Sequence, residues 1–267
     1  MEMEKKMDQN RFLGKTVMVT GAGSGLGAAV FKRFLLEGAN VIGVDLSADT
    51  MERFRERNSV LSAQMTLKVA DVSDPDAIEA VINQSVEELG ALDVLVNNAG
   101  IAPTGPAGTT SNELWRSVMN VNVDGLFYAT RAALPHLIRS QGNIVNTASV
   151  SGIGADYHYA AYDASKGAVI NFTRSVAVDY AQRGVRCNAV APGPVLTPLL
   201  QKNIDTTVGL KEAFGRSIPL GRIASPEEIA PAFTFLASSD ASYVNGLILT
   251  ADGGVTAWNG QPNPNDL

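Results

Sequence analysis

The chain has 267 residues and a net charge of −6, with 45% hydrophobic and 18% charged residues. This balance is typical of a soluble globular protein with a sizeable core, and its acidity disfavours nucleic acid and anionic membranes as partners. One cysteine and two histidines exclude an intramolecular disulfide and a histidine-rich metal site, so we expect no metal. Residues 1–11 lack the apolar core of a signal peptide, and no apolar run approaches the roughly 18 residues of a membrane span. We therefore expect a cytoplasmic protein without a membrane partner.

Strands and helices alternate along the chain. Short apolar or β-branched runs predict seven strands, at residues 15–20, 40–45, 66–69, 92–96, 143–147, 184–190 and 246–249. Helical spacing and helix-start signals predict helices at 28–38, 48–58, 75–89, 114–139 (divided near 122–125), 162–182 and from 225, while 192–219 is irregular with weak helical patches. The strands are apolar without alternation, which is typical of a parallel sheet between two helix layers. We expect one doubly wound α/β domain over residues 1–267, with a flexible leader at 1–12 and a tail at 255–267.

A glycine-rich turn follows the first predicted strand. Ligands of such folds bind beyond the carboxyl ends of the strands, so we look for chemistry there. Gly21, Gly25 and Gly27 have the spacing G-x-x-x-G-x-G and open a predicted helix. Glycines let the backbone turn sharply and let a pyrophosphate approach the amides of a helix N-terminus. The alternative is a glycine-rich turn without a ligand, but the strand before it and the helix after it favour a dinucleotide.

Asp45 ends the second strand, 18 residues after Gly27. A carboxylate at this place accepts hydrogen bonds from the adenosine ribose hydroxyls and repels a 2′-phosphate. Neither Ser24 in the turn nor Leu46 after the aspartate supplies a cation for such a phosphate. The sequence therefore predicts NAD in preference to NADP, although Asp45 can also cap the following helix.

Polar residues follow the other strands as well. Asp71, with the Val72 backbone, can meet an adenine ring or cap the next helix. The side-chain amides of Asn97-Asn98-Ala99-Gly100 can tie neighbouring strand ends together. Ser149 stands where a hydroxyl can bond a substrate oxygen, and Ser151 is the competing choice.

Tyr162 and Lys166 are four residues apart in a predicted helix, which places them on one face. A lysine ammonium close to a phenol stabilises the phenolate, so we expect a lowered pKa for Tyr162. Such a phenol can give a proton to a carbonyl oxygen or take one from an alcohol. A surface pair without function is the alternative. Tyr157 and Tyr159 lack a lysine four residues on and are interpreted as pocket lining.

Together these residues resemble the short-chain dehydrogenase/reductase family over about residues 15–254. The resemblance lies in the motifs TGAGSGLG (20–27), Asp71, NNAG (97–100), Asn122, Ser149, YDASK (162–166) and PGPVLT (192–197). It implies a Rossmann-type, seven-stranded parallel sheet and a catalytic tetrad of Asn122, Ser149, Tyr162 and Lys166. The NAD contacts that we expect are Gly21, Ser24, Gly25, Leu26, Gly27, Asp45, Asp71, Val72, Asn98, Tyr162, Lys166, Pro192, Val195 and Thr197.

The resemblance also implies a role for each member of the tetrad. Tyr162 is the general acid/base, and Ser149 holds the substrate oxygen. Lys166 lowers the pKa of the phenol and binds the nicotinamide ribose, and Asn122 anchors a water that links Lys166 to solvent. The family is usually tetrameric, so we expect a homotetramer.

The substrate segments at 103–110, 153–159 and 196–217 are mostly small, apolar or weakly polar. They favour a small neutral secondary alcohol or its ketone. Residues 144–152, 166–174 and 252–262 resemble acetoin/diacetyl reductase and meso-2,3-butanediol dehydrogenase members of the family, which suggests a vicinal diol or hydroxyketone. Reduction of 3-oxoacyl thioesters and oxidation of sugars or cyclic alcohols are alternatives on the same core. A catalytically silent NAD-binding sensor or scaffold is the alternative of another class.

Overall fold

The structure, a computed structural model, describes residues 10–261. Its strands are β1 (Thr16–Thr20), β2 (Asn40–Asp45), β3 (Met65–Val69), β4 (Val94–Asn97), β5 (Asn143–Thr147), β6 (Arg186–Pro192) and β7 (Ile248–Ala251). Its α-helices are α1 (Gly25–Leu36), α2 (Ala48–Arg57), α3 (Pro75–Leu89), α4 (Asn112–Met119), α5 (Gly125–Ser140), α6 (Ala160–Tyr180), α7 (Pro198–Thr206), α8 (Leu210–Ser217) and α9 (Pro226–Ala237). Every predicted strand is present, with each end within two residues of its predicted place.

All seven strands are parallel, in the order β3-β2-β1-β4-β5-β6-β7. In β1, Val17 is in register with Val41 of β2 on one side and Val94 of β4 on the other. The chain leaves β1 toward β2 and β3 and then returns to pair β4 with β1, so the strand order reverses between β1 and β4. A crevice forms at such a switch point, beyond the carboxyl ends of the strands. The predicted doubly wound α/β fold is confirmed.

The sheet is buried on both faces because its strand residues alternate between two cores. Val17 and Val19 of β1 join the core that contains Phe31 of α1 and Phe233 of α9. Met18, between them, points to the opposite core, beneath α3 and α5. Each such side chain contributes roughly 1.5–3 kcal/mol when it leaves water. The two apolar layers hold the strand ends in fixed positions around the crevice.

The predicted division of the 114–139 helix is confirmed. α4 ends at Met119, a π-helical segment spans Asn120–Asp124, and α5 begins at Gly125. π-Segments within helices often mark functional positions, because the extra residue turns side chains away from the regular faces. The segment here carries Asn122. The region predicted to be irregular after Pro192 contains α7 and α8, and α7 begins with the helix cap Thr197.

The predicted flexible leader is too long at its C-terminal end. Phe12 is 3% exposed and packs edge-on against Phe34, with 4.9 Å between the ring centroids. Its N–H donates to the Glu37 carbonyl at 2.9 Å, and the neighbouring Arg11 lies 3.4 Å from the Glu37 carboxylate. The prediction was wrong here because the leader is otherwise polar, whereas its one aromatic residue, Phe12, packs into the core. Residues 1–9 of the predicted leader and 262–267 of the predicted tail lie outside the described residues.

The described part of the predicted tail forms turns held by Asp252. Its carboxylate accepts hydrogen bonds from the Gly254 N–H at 2.9 Å and the Thr256 N–H at 2.8 Å. None of the helices in residues 10–261 combines the length and the apolar character that a bilayer crossing needs.

Candidate active site

A cavity of about 460 Å³ lies at the carboxyl ends of the strands, next to the switch point. It is lined by ten of the fourteen residues predicted to contact NAD: Gly21, Ser24, Gly25, Leu26, Gly27, Asp45, Asp71, Val72, Asn98 and Thr197. Its other lining residues were not predicted to contact NAD: Leu46, Ala70, Ala99, Gly100, Ile101, Val121 and Pro198. A larger groove of about 830 Å³ lies at the opposite, amino ends of the strands, away from the predicted site residues.

The glycine-rich turn forms one wall of the cavity. Gly21 has φ +65° and Gly25 has φ +53°, values that favour glycine. A Cβ on Gly27 would overlap the Gly21 carbonyl oxygen and the Asn98 side chain, so α1 can pack on the turn only with glycine there. Ser24, the N-cap of α1, makes no side-chain cap, which leaves the first amides of the helix to a ligand. This combination fits a bound pyrophosphate.

Asp45 is fixed beside this turn. One carboxylate oxygen accepts the Gly23 N–H at 2.9 Å, and the other accepts the Ser47 N–H at 3.0 Å. Ser47 is the N-cap of α2, so capping the helix is not the role of Asp45. The contact with Gly23 holds the carboxylate at the mouth of the cavity, where a ribose could meet it.

Asn97 and Asn98 tie three strand ends together, as predicted. The Asn97 amide donates to Asn146 Oδ1 of β5 at 2.9 Å, and the Asn98 amide donates to the Thr20 carbonyl of β1 at 3.1 Å. Asp71 bonds the backbone N–H and hydroxyl of Ser73, at 2.9 and 2.7 Å. The N-cap of α3 is Asp74, so the capping alternative for Asp71 does not hold.

Thr197 closes the cavity from the far side. Its Cγ2 would lie 3.3 Å from a Cβ built on Gly25. Pro192 ends β6. Val195, two residues before Thr197, forms an isolated β-bridge with Ala224. Pro192, Val195, Tyr162 and Lys166 are not among the residues that line the cavity.

The predicted tetrad comes together next to this cavity. The Lys166 Nζ lies 5.6 Å from the centroid of the Tyr162 ring and donates to the Thr147 carbonyl at 2.7 Å. Ser149 is near enough to Tyr162 to lower the pKa of its phenol. Asn122 is buried, and its amide donates to the Ile101 carbonyl at 2.9 Å and to Ser165 Oγ at 3.0 Å. Asn122 thus joins the loop after β4 to α6.

The charges at the site differ from the prediction. Burial raises the pKa of Tyr162 to about 12, and the carboxylates of Asp156 and Asp163 add to the rise, while Ser149 opposes it. Burial also lowers the pKa of Lys166 to about 8. The expected fall in the pKa of Tyr162 was wrong, because burial desolvates the phenolate and two nearby carboxylates repel its charge.

Two residues of the site were missed or left undecided. Ser149 and Ser151 were alternatives in the sequence. Both lie at the site, where Ser149 Oγ donates to Ser151 Oγ at 2.9 Å. Asp156, which was not predicted as a site residue, accepts a hydrogen bond from Ser151 Oγ at 2.5 Å. The signal available in the sequence was an acid six residues before Tyr162. Within residues 10–261, no group of three or more His, Cys, Asp or Glu side chains is arranged to hold a metal ion.

Comparisons with known proteins agree with this geometry. A family model described as enoyl-(acyl carrier protein) reductase matches residues 21–256. The chain is 43% identical over 252 residues to a meso-2,3-butanediol dehydrogenase of Serratia marcescens, covering 94% of this chain and 98% of the relative. It is 45% identical over 250 residues to a 2-(R)-hydroxypropyl-CoM dehydrogenase of Xanthobacter autotrophicus, covering 92% of this chain and 100% of the relative. A solved structure described as ElxO with NADP bound has a TM-score of 0.87 and 31% identity, covering 91% of this chain and 99% of the other.

The fold, the site and these relatives define an oxidoreductase of the nicotinamide-dinucleotide class that acts on CH–OH groups. The crevice at the switch point is where a fold of this class binds its ligand. The chain belongs to the short-chain dehydrogenase/reductase family. The resemblance found in the sequence is thereby confirmed.

Proposed function

We propose that the protein interconverts a small neutral secondary alcohol and its ketone with NAD as cofactor. The observation that carries this proposal is the position of Tyr162, with Lys166 and Ser149, beside the cavity formed by the glycine-rich turn. A phenol, an ammonium and a hydroxyl at the edge of a dinucleotide-sized crevice can handle the proton of an alcohol or ketone oxygen. Residues 1–267 act as a single dinucleotide-binding and catalytic domain in this proposal.

Tyr162 is the general acid/base. With a pKa of about 12, the phenol is protonated at neutral pH, which is the form that donates to a ketone oxygen. Lys166 is mostly protonated below its pKa of about 8, so its charge favours the phenolate that alcohol oxidation needs. Ser149 holds the substrate oxygen beside the phenol. Asn122 fixes α6, which carries both Tyr162 and Lys166, to the loop after β4.

The residues present fit a dinucleotide. The turn from Gly21 to Gly27 would hold the pyrophosphate, Asp45 the adenosine ribose, and Asp71 with Val72 the adenine. Asn98, Thr197, Pro192, Val195, Tyr162 and Lys166 would form the nicotinamide end of the site. When bound, NAD supplies the carbon that accepts or donates the hydride.

Preference for NAD over NADP is supported by the charge of the cavity. Asp45 and Asp71 line it, and no lysine or arginine is among its lining residues in the described part of the chain. A 2′-phosphate near the fixed Asp45 carboxylate is repelled by an energy on the order of 3 kcal/mol at an effective dielectric constant near 20. We expect kcat/KM with NADH to exceed that with NADPH roughly 100-fold.

The experiment compares both cofactors in the unaltered protein and in two variants. Asp45→Asn should reduce the preference for NADH at least about tenfold, because it removes the repelling charge. Asp49→Asn is the matched control, since Asp49 is an exposed acid in the first turn of α2. Equal efficiency of the unaltered protein with NADPH would contradict the preference.

A neutral substrate is supported by the carboxylates around the reacting phenol. Asp156 and Asp163 both raise the pKa of Tyr162, so the potential at its hydroxyl disfavours a nearby anion. The rim carries the exposed apolar side chains Ile153 and Leu196. The names of the relatives, a butanediol dehydrogenase and a hydroxypropyl-CoM dehydrogenase, point to short secondary alcohols. A vicinal diol or hydroxyketone is the substrate class that these observations favour.

A panel of alcohols tests this class. With NAD⁺, we expect kcat/KM for 2,3-butanediol to exceed that for the anion 3-hydroxybutyrate at least about tenfold, because only the anion is repelled. Galactitol, cyclohexanol and a 3-hydroxyacyl thioester complete the panel. A 3-hydroxyacyl thioester as the best substrate would replace the proposal with the thioester reductase alternative.

Assembly and location belong to the same proposal. Phe127 of α5 and Val178 of α6 are apolar and exposed, which supports a homotetramer through these two helices. Light scattering should give four times the mass of one chain, and the mass of one chain would contradict it. We also propose a cytoplasmic location, which the single, buried Cys187 supports. Localisation of the tagged full chain in its own cells tests this.

A further inference from the structure

Backbone hydrogen bonds join two loops on the substrate side of the site. The Gly105 N–H, in the loop after β4, donates to the His158 carbonyl at 2.6 Å, and the Ala160 N–H donates to the Gly105 carbonyl at 3.3 Å. Gly105 and Tyr159 thereby form an isolated parallel β-bridge. We call this bridge with its two hydrogen bonds the clasp. It lies where the two loops predicted to line the substrate, at 103–110 and 153–159, meet.

The backbone of His158 gives the clasp its geometry. Its φ of +67° lies in the left-handed region, and within residues 10–261 the one other non-glycine residue there is Gln141, at φ +51°. The His158 side chain is exposed, so burial of the imidazole does not account for this conformation. The left-handed residue turns the chain sharply, just before α6 begins at Ala160. A residue held in a sparsely populated backbone region indicates a functional constraint.

The loop between β4 and the clasp is fixed at both ends. At its first end, Asn122 accepts the Ile101 N–H at 2.8 Å and donates to the Ile101 carbonyl at 2.9 Å. At its second end, a Cβ on Gly105 would lie 2.7 Å from Thr110 Oγ1, so the absence of a side chain lets the backbone approach the following turn. Residues 101–105 therefore form a strap between two fixed points.

The strap connects the cofactor cavity with the surroundings of the reacting phenol. Ile101 lines the cavity. Across the clasp, the Tyr159 ring packs edge-on against the Tyr162 ring, with 6.1 Å between centroids. The Tyr159 carbonyl also accepts the Asp163 N–H at 2.8 Å in the first turn of α6. A substrate that exchanges a hydride with the cofactor and a proton with Tyr162 lies between these two places, alongside the strap.

We propose that His158 is a positioning residue which, through the clasp, holds the strap in the arrangement that binds the alcohol substrate. The proposal rests on the proposed function, because it places the substrate between the cavity and Tyr162. His158 acts through its backbone and does not touch the reacting atoms. When the clasp opens, the strap loses one fixed end and the binding arrangement is less populated. The substrate then binds more weakly in proportion, whereas the saturated enzyme turns over at an unaltered rate.

Substitutions at position 158 separate the backbone from the imidazole. His158→Asn and His158→Gly remove the imidazole but keep residues that adopt the left-handed region readily. His158→Val places a β-branched residue there, which should lower the ratio of closed to open clasp about tenfold. Gln141→Val is the matched control, because Gln141 is also left-handed but lies in the groove at the amino ends of the strands.

The first measurement is hydrogen exchange of the Gly105 amide, followed by NMR in the unaltered protein and in each variant. In His158→Val the exchange should be about tenfold faster, whereas in His158→Asn and His158→Gly it should stay within about threefold of the unaltered rate. Gln141→Val should leave this amide unaffected. Unfolding midpoints measured for every variant identify any that lose the fold.

The second measurement is steady-state kinetics with 2,3-butanediol and NAD⁺, together with a titration of NADH. In His158→Val the KM for the alcohol should rise at least about threefold and kcat should stay within about twofold, because two hydrogen bonds only modestly favour the closed clasp. The dissociation constant of NADH should not change, since Asn122 still holds the other end of the strap. His158→Asn and His158→Gly should retain the unaltered KM, and so should Gln141→Val.

Three results would overturn the role of His158 while leaving the proposed function intact. An equal rise in KM in all three His158 variants would assign the effect to the imidazole. An unaltered KM in His158→Val, or a rise accompanied by equal losses of kcat and NADH affinity, would mean that the clasp does not position the substrate. A Gly105 amide that exchanges freely in the unaltered protein would mean that the clasp does not form. Absence of NADH formation by the unaltered protein with every alcohol of the panel would instead overturn the proposed function.

Discussion

Replacing Tyr162 by phenylalanine is expected to lower kcat/KM roughly 100- to 10,000-fold, the range that one general acid/base contributes. The ring and its edge-on contact with Tyr159, at 6.1 Å between centroids, remain, so the local packing is retained. Only the hydroxyl that is proposed to exchange a proton with the substrate oxygen is removed. The dissociation constant of NADH, measured by fluorescence titration, should change less than about threefold, because the cavity is lined by seventeen other residues.

Two other tyrosines make the prediction specific. Tyr159→Phe removes the neighbouring hydroxyl and should retain at least about a tenth of the turnover. Tyr243→Phe, fully exposed beside the groove at the amino ends of the strands, controls for the loss of a tyrosine as such. Full turnover in Tyr162→Phe, or a larger loss in Tyr159→Phe, would assign the proton transfer to another group.

Replacing Lys166 by methionine is expected to remove turnover and the pH dependence of stability that this lysine causes. Burial lowers the pKa of Lys166 from its ordinary 10.5 to about 8. Below pH 8 the lysine is charged in both folded and unfolded chains, and the folded state carries a cost on the order of 3 kcal/mol. Between pH 8 and 10.5 the unfolded chain binds more protons than the folded one, so the free energy of unfolding rises with pH.

The measurement is urea unfolding of both proteins at pH 7 and pH 10.5. The stability of Lys166→Met relative to the unaltered protein should fall by about 3 kcal/mol between the two values, because only the unaltered protein is relieved of the buried charge. Lys166 also donates a hydrogen bond to the Thr147 carbonyl at 2.7 Å. Loss of this bond affects the stability difference between the two proteins at each pH, but not the change in that difference between pH 7 and pH 10.5. Lys32→Met, on the exposed side of α1, should show no such change. A constant difference for Lys166→Met would mean that Lys166 is not desolvated.

The proposed preference for NAD and the pKa of Tyr162 depend on two different carboxylates. Asp45 is held by backbone amides at the mouth of the cavity, whereas Asp156 accepts a hydrogen bond from Ser151 and raises the pKa of Tyr162. Their substitutions should therefore have separable effects, one on the choice of cofactor and the other on the pKa of the phenol. Sites more than about 10 Å apart without shared partners usually act additively.

Much of the site could be predicted because its signals are local. The turn from Gly21 to Gly27 needs glycine for its backbone, and Asp45 follows the next strand, so both could be identified from their neighbours alone. Tyr162 and Lys166 share a helical face through their spacing. The burial of Phe12 and the contact between Ser151 and Asp156 could not be predicted, because each depends on how an irregular segment folds back onto another element.

By itself, the sequence determined the order of strands and helices, the glycine-rich turn and the pairing of Tyr162 with Lys166. These follow from backbone propensity and from spacing along single elements, which act over a few residues. Only the tertiary structure decided the charges at the site. The pKa of Tyr162 rises to about 12, contrary to the helical-pair argument, because burial and the carboxylates of Asp156 and Asp163 act on the phenol through space. Desolvation and Coulomb forces depend on what surrounds a group in three dimensions, and spacing along the chain does not specify that.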